Sequence, residues 1–142
     1  MNCLSIERIW EDNDFFEIEV IAQSMYVCAK TTNYTTVEAI NELSLLLNTF
    51  TNNFDDRCFW RSGEKGDGTT PYISFEFIRK DKCGHIDIEI YMEINDGASY
   101  DKHHCCFFIQ TELGMLNEFG KSLFILNQSG VGKRVFLSAI DN

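Results

Sequence analysis

Residues 85–95 alternate apolar and polar side chains almost without exception. Successive side chains of a β-strand point to opposite faces of its sheet, so this pattern predicts one strand. Its core-facing side would consist of Ile86, Ile88, Ile90, Met92 and Ile94. Its other side would carry Asp87, Glu89, Tyr91 and Glu93. We expect this second side to form an acidic row in water.

Similar alternation predicts strands elsewhere in the chain. The predicted segments are residues 4–10, 15–23, 25–32, 58–60, 72–80, 104–109 and 135–140. Leu4, Ile6 and Trp10 would share one face of the first strand. Glu17 and Glu19 lie on the polar side of the second strand, and Glu76 lies on that of the fifth. These three carboxylates would extend the acidic row if all the strands belong to one sheet.

Two segments show the three- and four-residue spacing of a helix with one buried face. The first begins at Thr35-Thr36-Val37-Glu38, in which Thr35 would accept from the Glu38 amide, and ends near Asn52. The second covers residues 111–124. Strands occur in groups that are each followed by a helix. This order predicts an α+β fold with a single antiparallel sheet of about six to seven strands and two helices, rather than alternating βαβ units.

The composition limits the function. The 142 residues include 22 acidic and 12 basic side chains, give a formal net charge of −10, and are 44% hydrophobic. This size and apolar content predict one domain over residues 1–142. The negative field disfavours direct binding to nucleic acid or an anionic membrane and favours basic partners. No apolar run has the length of a membrane span or a signal peptide, so we expect a cytoplasmic protein.

Two motifs suggest chemistry, but neither is complete. The sequence SGVGKR at residues 129–134 partly matches a phosphate-binding loop. However, Asn127 replaces its first glycine and Arg134 replaces the Ser or Thr that binds magnesium. We interpret this segment as a turn. Possible zinc ligands are Cys83, His85, His103, His104, Cys105 and Cys106.

Strand geometry argues against that zinc site. In a hairpin of the strands at 85–95 and 104–109, Cys83 and His85 lie at the end remote from His103. Adjacent strand residues such as Cys105 and Cys106 also point to opposite faces. We therefore predict no metal and no cofactor, and a redox role for His103, His104, Cys105 and Cys106 stays open. Without a nucleophile motif or convergent acids, we also predict no catalytic residue and no enzyme.

Four features occur in a recognisable order: FEIEV at residues 16–20, a helix from Thr36 to Phe50, Gly84-His85 opening an alternating strand, and FFIQTEL at residues 107–113 before a last helix. This order resembles the WapI-like family of small cytoplasmic bacterial immunity proteins over residues 15–124. Such proteins neutralise the C-terminal toxin domain of a contact-dependent wall-associated protein. The resemblance implies a stoichiometric inhibitor without catalytic residues. Its partner would be a toxin domain, often a nuclease with a basic cleft.

The charge and the resemblance together predict a partner-binding surface. Its residues would be Glu17, Glu19, Glu76, Asp87, Glu89, Tyr91 and Glu93. Carboxylates would speed association, and a few aromatic anchors would supply affinity. Tyr91 is the preferred anchor, ahead of Phe15 and Tyr72, although ordinary cross-strand packing would also explain Tyr91. We expect a monomer or a weak dimer.

Two other functions stay open. A small-molecule-binding or enzymatic α+β domain would need a deep pocket in which acids converge on His85, His103 or His104. A self-associating structural module would instead use residues 135–140 as an exposed sheet edge.

Overall fold

A computed structural model describes residues 2–66, 68–97 and 102–138 of the chain. Two helices and eight strands lie within these ranges. They are β1 (Cys3–Glu11), β2 (Phe16–Gln23), β3 (Cys28–Thr35), α1 (Val37–Asn53), β4 (Arg57–Ser62), β5 (Ile73–Arg79), β6 (His85–Glu93), β7 (His104–Glu112), α2 (Leu113–Asn127) and β8 (Arg134–Ser138). The predicted strand at 135–140 extends into residues 139–140, which lie outside the described ranges.

The strands form two antiparallel sheets of four strands each. Sheet 1 has the order β3-β2-β1-β8, and sheet 2 has the order β4-β5-β6-β7. The α+β class is confirmed, but the prediction of a single sheet of about six to seven strands is wrong, because the described chain has eight strands in two sheets. The closing strand β8 pairs with β1, with Leu4 opposite Leu137, and does not extend the second group of strands. Alternation defines the faces of a strand, whereas it does not determine which strand edges join.

Both sheets direct one apolar face into a common core that also takes in the helices. Helix α1 packs on the core side of sheet 2, where the Phe50 and Phe77 ring centroids are 6.4 Å apart. The Trp60 indole N–H donates to the Ala39 carbonyl at 3.0 Å. A Cβ at Gly120 of α2 would come within 3.2 Å of the Leu47 Cβ, so a glycine permits the close approach of the two helices.

The helix boundaries differ slightly from those predicted. Thr36, not Thr35, caps α1, and its Oγ1 accepts from the Ala39 amide at 3.1 Å. Helix α2 starts at Leu113 because β7 continues to Glu112. Among the described residues, neither helix combines the length and apolarity that crossing a membrane requires.

The glycine-containing segment before β8 is a turn, as predicted from its incomplete phosphate-loop pattern. Gly132 has a φ of 97°, a conformation that favours glycine. Its amide donates to the Arg8 carbonyl at 2.8 Å. This turn therefore brings β8 alongside β1.

Candidate functional site

The face of sheet 2 that points away from the core, called the outer face below, carries most of the predicted binding residues. The strand register aligns four of its side chains across all four strands, in the order Phe59, Glu76, Glu89 and Phe108. We call them the Phe-Glu row. The two phenylalanines, on the edge strands, expose 48% and 50% of their surface. Two neighbouring carboxylates are thus flanked by two accessible aromatic rings.

The two glutamates of the row have different electrostatic surroundings. An Oε1 of Glu76 lies 3.2 Å from an Nη1 of Arg57, so its charge is partly compensated. Within the described part of the chain, no ion pair compensates Glu89. Like charges directly opposite each other on neighbouring strands repel. Glu89 is therefore the carboxylate best placed to receive a cation from a partner.

Tyr91, the expected anchor, lies in the next row of the outer face and is packed by its neighbours. Its ring stacks on His104 with centroids 5.4 Å apart and contacts Tyr72 edge-on at 5.6 Å. The Lys65 Nζ lies 4.2 Å from the centre of the Tyr91 ring. Burial, and to a lesser extent the charge of Glu93, raises the pKa of Tyr91. Tyr91 thus makes the ordinary cross-strand packing contacts that were the alternative explanation for this residue. Its role as an anchor stays a prediction.

Glu93 is only 1% exposed, so the expectation of an acidic row entirely in water is wrong at this position. One carboxylate oxygen accepts from the Tyr72 amide at 2.8 Å, and the other accepts from the Gly66 amide at 3.0 Å. The loop before β5 folds back over this end of β6. Hydrogen bonds to both oxygens satisfy the buried carboxylate. Glu93 therefore holds this loop in place and is not available to a partner.

Asp87 is half-buried near the other end of β6. It helps to line a cavity of about 320 Å³ together with His85 and Asp81. One oxygen of Asp87 is buried without a hydrogen bond among the described residues. The His85 Nδ1 lies 2.6 Å from an Asp81 oxygen, and this contact is the main cause that lowers the pKa of Asp81. His85 is thus held by Asp81, and neither His103 nor His104 lines this cavity.

Glu17 and Glu19 lie on sheet 1, not beside the other predicted residues. The Arg134 guanidinium contacts Glu19 at 3.0 Å and Glu7 at 2.7 Å. The predicted continuous acidic surface is therefore divided between two sheets. Glu19 is compensated by Arg134, and Glu17 lies opposite Trp10 on one side and Tyr34 on the other.

A cluster of three exposed aromatic residues surrounds Glu17, and sequence reasoning missed it. Trp10, Phe15 and Tyr34 have ring centroids between 5.9 and 6.3 Å apart. The prediction that Trp10 shares a face of the strand with Leu4 and Ile6 is wrong, because a register shift between Arg8 and Trp10 reverses the alternation. Trp10 is consequently 43% exposed.

The register confirms that the candidate metal ligands are separated. His85 lies opposite Glu112 at one end of the β6–β7 pair, whereas His104 lies opposite Glu93 at the other. No group of three or more His, Cys, Asp or Glu side chains suited to a metal occurs in the part of the chain that the structure describes. Burial is also the main cause that raises the pKa values of Cys105 and Cys106, which disfavours their reactive thiolate form.

Comparison with known proteins adds no relatives. No protein-family model matches the sequence, and no curated protein or solved structure is significantly similar to it.

Proposed function

We propose that this protein is a cytoplasmic immunity protein that binds the C-terminal toxin domain of a bacterial contact-dependent inhibition system. Binding would be stoichiometric and would occlude a basic, nuclease-type active-site cleft. The observation that carries the proposal is the Phe-Glu row, two adjacent carboxylates between half-exposed Phe59 and Phe108 on an open sheet face. The sequence resemblance to WapI-like immunity proteins supplies the class of partner.

The row suits a basic protein surface for two physical reasons. A Lys or Arg placed beside Glu76 and Glu89 would relieve their mutual repulsion, and Asp87 lies on the same face. Contact would also remove the two phenylalanine rings from water, which contributes about 1 kcal/mol or more for each ring. Aromatic anchors beside charges that attract the partner are typical of energetically important interface residues.

The net charge of −10 supports the same interpretation. A negative field accelerates encounter with a positively charged domain. This acceleration decreases as added salt screens the field. The protein would thereby capture its toxin before the toxin reaches an anionic substrate.

The proposal is tested with the C-terminal domain of any large secreted protein that is encoded by a gene adjacent to the gene for this protein. We expect the purified pair to form a one-to-one complex and co-expression to remove the toxicity. Glu89→Lys should slow association about five- to tenfold at low salt and lessen its salt dependence. Glu118→Lys is the matched control, because it makes the same change in net charge at an exposed position on α2, away from the predicted binding residues.

Two outcomes would overturn this function. If the neighbouring domain is neither bound nor neutralised, the partner class is wrong. If Glu118→Lys slows association as much as Glu89→Lys does, the effect comes from net charge and the outer face is not the contact. Light scattering of the free protein adds a check, since a stable dimer that covers the outer face is incompatible with the proposal.

A further inference from the structure

A groove runs between helix α1 and the free edge of β4. Its volume is about 570 Å³, and its lining includes the apolar side chains of Leu45, Phe50 and Cys58. Leu45 exposes 64% of its surface, so the apolar lining is open to solvent. Three carboxylates also line it, those of Glu38, Glu42 and Asp55. The groove thus combines an apolar floor with an acidic rim.

The backbone of β4 offers unused hydrogen-bonding groups along this groove. The Arg79 amide donates to the Asp56 carbonyl at 2.9 Å, next to the registered pair of Arg57 and Ile78. Residues of an antiparallel strand turn their N–H and C=O groups alternately toward and away from the partner strand. Arg57, Phe59 and Arg61 therefore direct these groups away from β5. In the described chain, β4 is an edge strand with no strand on that side.

The groove lies where the side chains of an added strand would go. A strand paired with β4 would run about 4.8 Å beyond it, with alternate side chains on the two faces of the sheet. Cys58 and Trp60 point to the core side of β4, and Cys58 lines the groove. Every second side chain of the added strand would therefore point into the groove and contact α1. Such strand addition beside a helix is an established mode of peptide recognition.

The charges identify the kind of segment that fits. No ion pair within the described residues compensates Glu38, Glu42 or Asp55. The groove side of an added strand should therefore carry Lys or Arg together with apolar side chains. Its other side would lie next to Arg57 and Arg61, which already pair with Glu76 and Glu64, so the charges select no side-chain type there.

The same charges disfavour a second copy of this chain as the occupant. Two β4 strands that pair antiparallel around Phe59 would place Arg57 of one copy opposite Arg61 of the other. The two acidic rims would also approach each other. Both contacts are between like charges.

We propose that the β4 edge and the α1 groove form a binding site for an extended segment of another protein that carries basic and apolar side chains at alternate positions. The segment would extend sheet 2 by one strand. This site does not depend on the proposed toxin, because it is defined by the strand edge and the groove and not by the outer face.

Selection of random ten-residue peptides from a display library tests the proposal with the whole protein. We expect enriched peptides in which Lys, Arg and apolar residues share alternate positions. Phe59→Pro removes an N–H that faces the open edge and should weaken binding about tenfold or more, since the peptide loses a backbone hydrogen bond and meets the proline ring. Phe59→Ala keeps this N–H but removes the ring that belongs to the Phe-Glu row, so the difference between the two variants isolates the backbone hydrogen bond. Glu38→Lys with Glu42→Lys should also weaken binding, whereas Glu118→Lys on exposed α2 should not.

Methylation of single peptide amides gives a second test that needs no protein variant. We expect affinity to fall at every second amide, because only alternate amides face β4. The proposal is overturned if no peptide is enriched, if the peptides bind Phe59→Pro as well as the wild type, or if methylation has no two-residue period. These results can be distinguished from loss of toxin binding by Glu89→Lys. Glu89 lies on the outer face of sheet 2, whereas the groove lies on the core side of β4.

Discussion

Glu76 and Glu89 lie directly opposite each other on neighbouring strands of the outer face. Their side chains have the same charge, and Arg57 compensates only Glu76. The pair therefore costs folding stability that a cation from a partner would restore. The outer face is therefore expected to be more stable when a partner places a cation beside these two carboxylates than in the free protein.

Neutralising one member of this pair should stabilise the free protein. Glu89→Gln is expected to raise the free energy of unfolding by about 0.2–1 kcal/mol at low salt, because it removes the repulsion from Glu76. Urea unfolding at two salt concentrations measures this effect, which should shrink as salt increases. Arg57→Gln removes the compensating charge and should act in the opposite direction. A lower stability of Glu89→Gln would show that Glu89 is compensated.

Replacement of Glu93 should be costly, since both of its oxygens accept backbone hydrogen bonds in a buried site. Glu93→Gln places an NH2 group against one of these amides, so we expect a loss of about 1–3 kcal/mol in the free energy of unfolding. Urea unfolding measures the loss. Glu118→Gln, at an exposed position on α2, should leave stability almost unchanged. Equal stabilities of the two variants would contradict the described loop contact.

The two tryptophans should report opposite environments. Trp60 is 2% exposed and stacks on Phe75 at 5.4 Å, whereas Trp10 is 43% exposed. Trp10→Phe should therefore leave a blue-shifted emission that acrylamide quenches several-fold less than that of the wild type. Trp60→Phe should leave the readily quenched component. The reverse result would mean that the register shift in β1 is absent and that Trp10 faces the core.

The cysteines should react with alkylating reagents in an order set by burial. Burial raises the pKa of Cys58 to about 12, whereas Cys28 is exposed. Because the thiolate is the reactive form, Cys58 in the native protein should stay largely unmodified at pH 8 while Cys28 is labelled. Mass spectrometry of peptides shows the order. Denatured protein, in which all six cysteines should react, is the control. Rapid native labelling of Cys58 would show that the α1 groove exposes it.

Local alternation predicted the faces of most strands. The register confirms that Glu76, Asp87 and Glu89 share one face, because side-chain direction follows from position along a strand. The same reasoning could have found Phe59 between Arg57 and Arg61, but the short prediction at 58–60 gave too few alternating positions.

The remaining features depend on contacts between distant residues. Glu17 lies on the other sheet because no described strand of sheet 1 pairs with a strand of sheet 2. Alternation does not encode this choice between strand edges. Glu93 is buried because residues near Gly66 and Tyr72 fold back over it. Trp10 turns outward at a register shift, which inserts one residue and so reverses the two-residue period.

The pairing of β1 with β8 also affects the order in which the chain can fold during synthesis. Leu4 and Leu137 are partners, so sheet 1 lacks its fourth strand until almost all of the described chain has been made. At ribosomal rates of about 5–20 residues per second, β1 is synthesised roughly 7 to 27 s before β8. During that interval the β1 edge is open to incorrect pairing. Sheet 2, made entirely from consecutive strands, has no comparable delay and is free to form first.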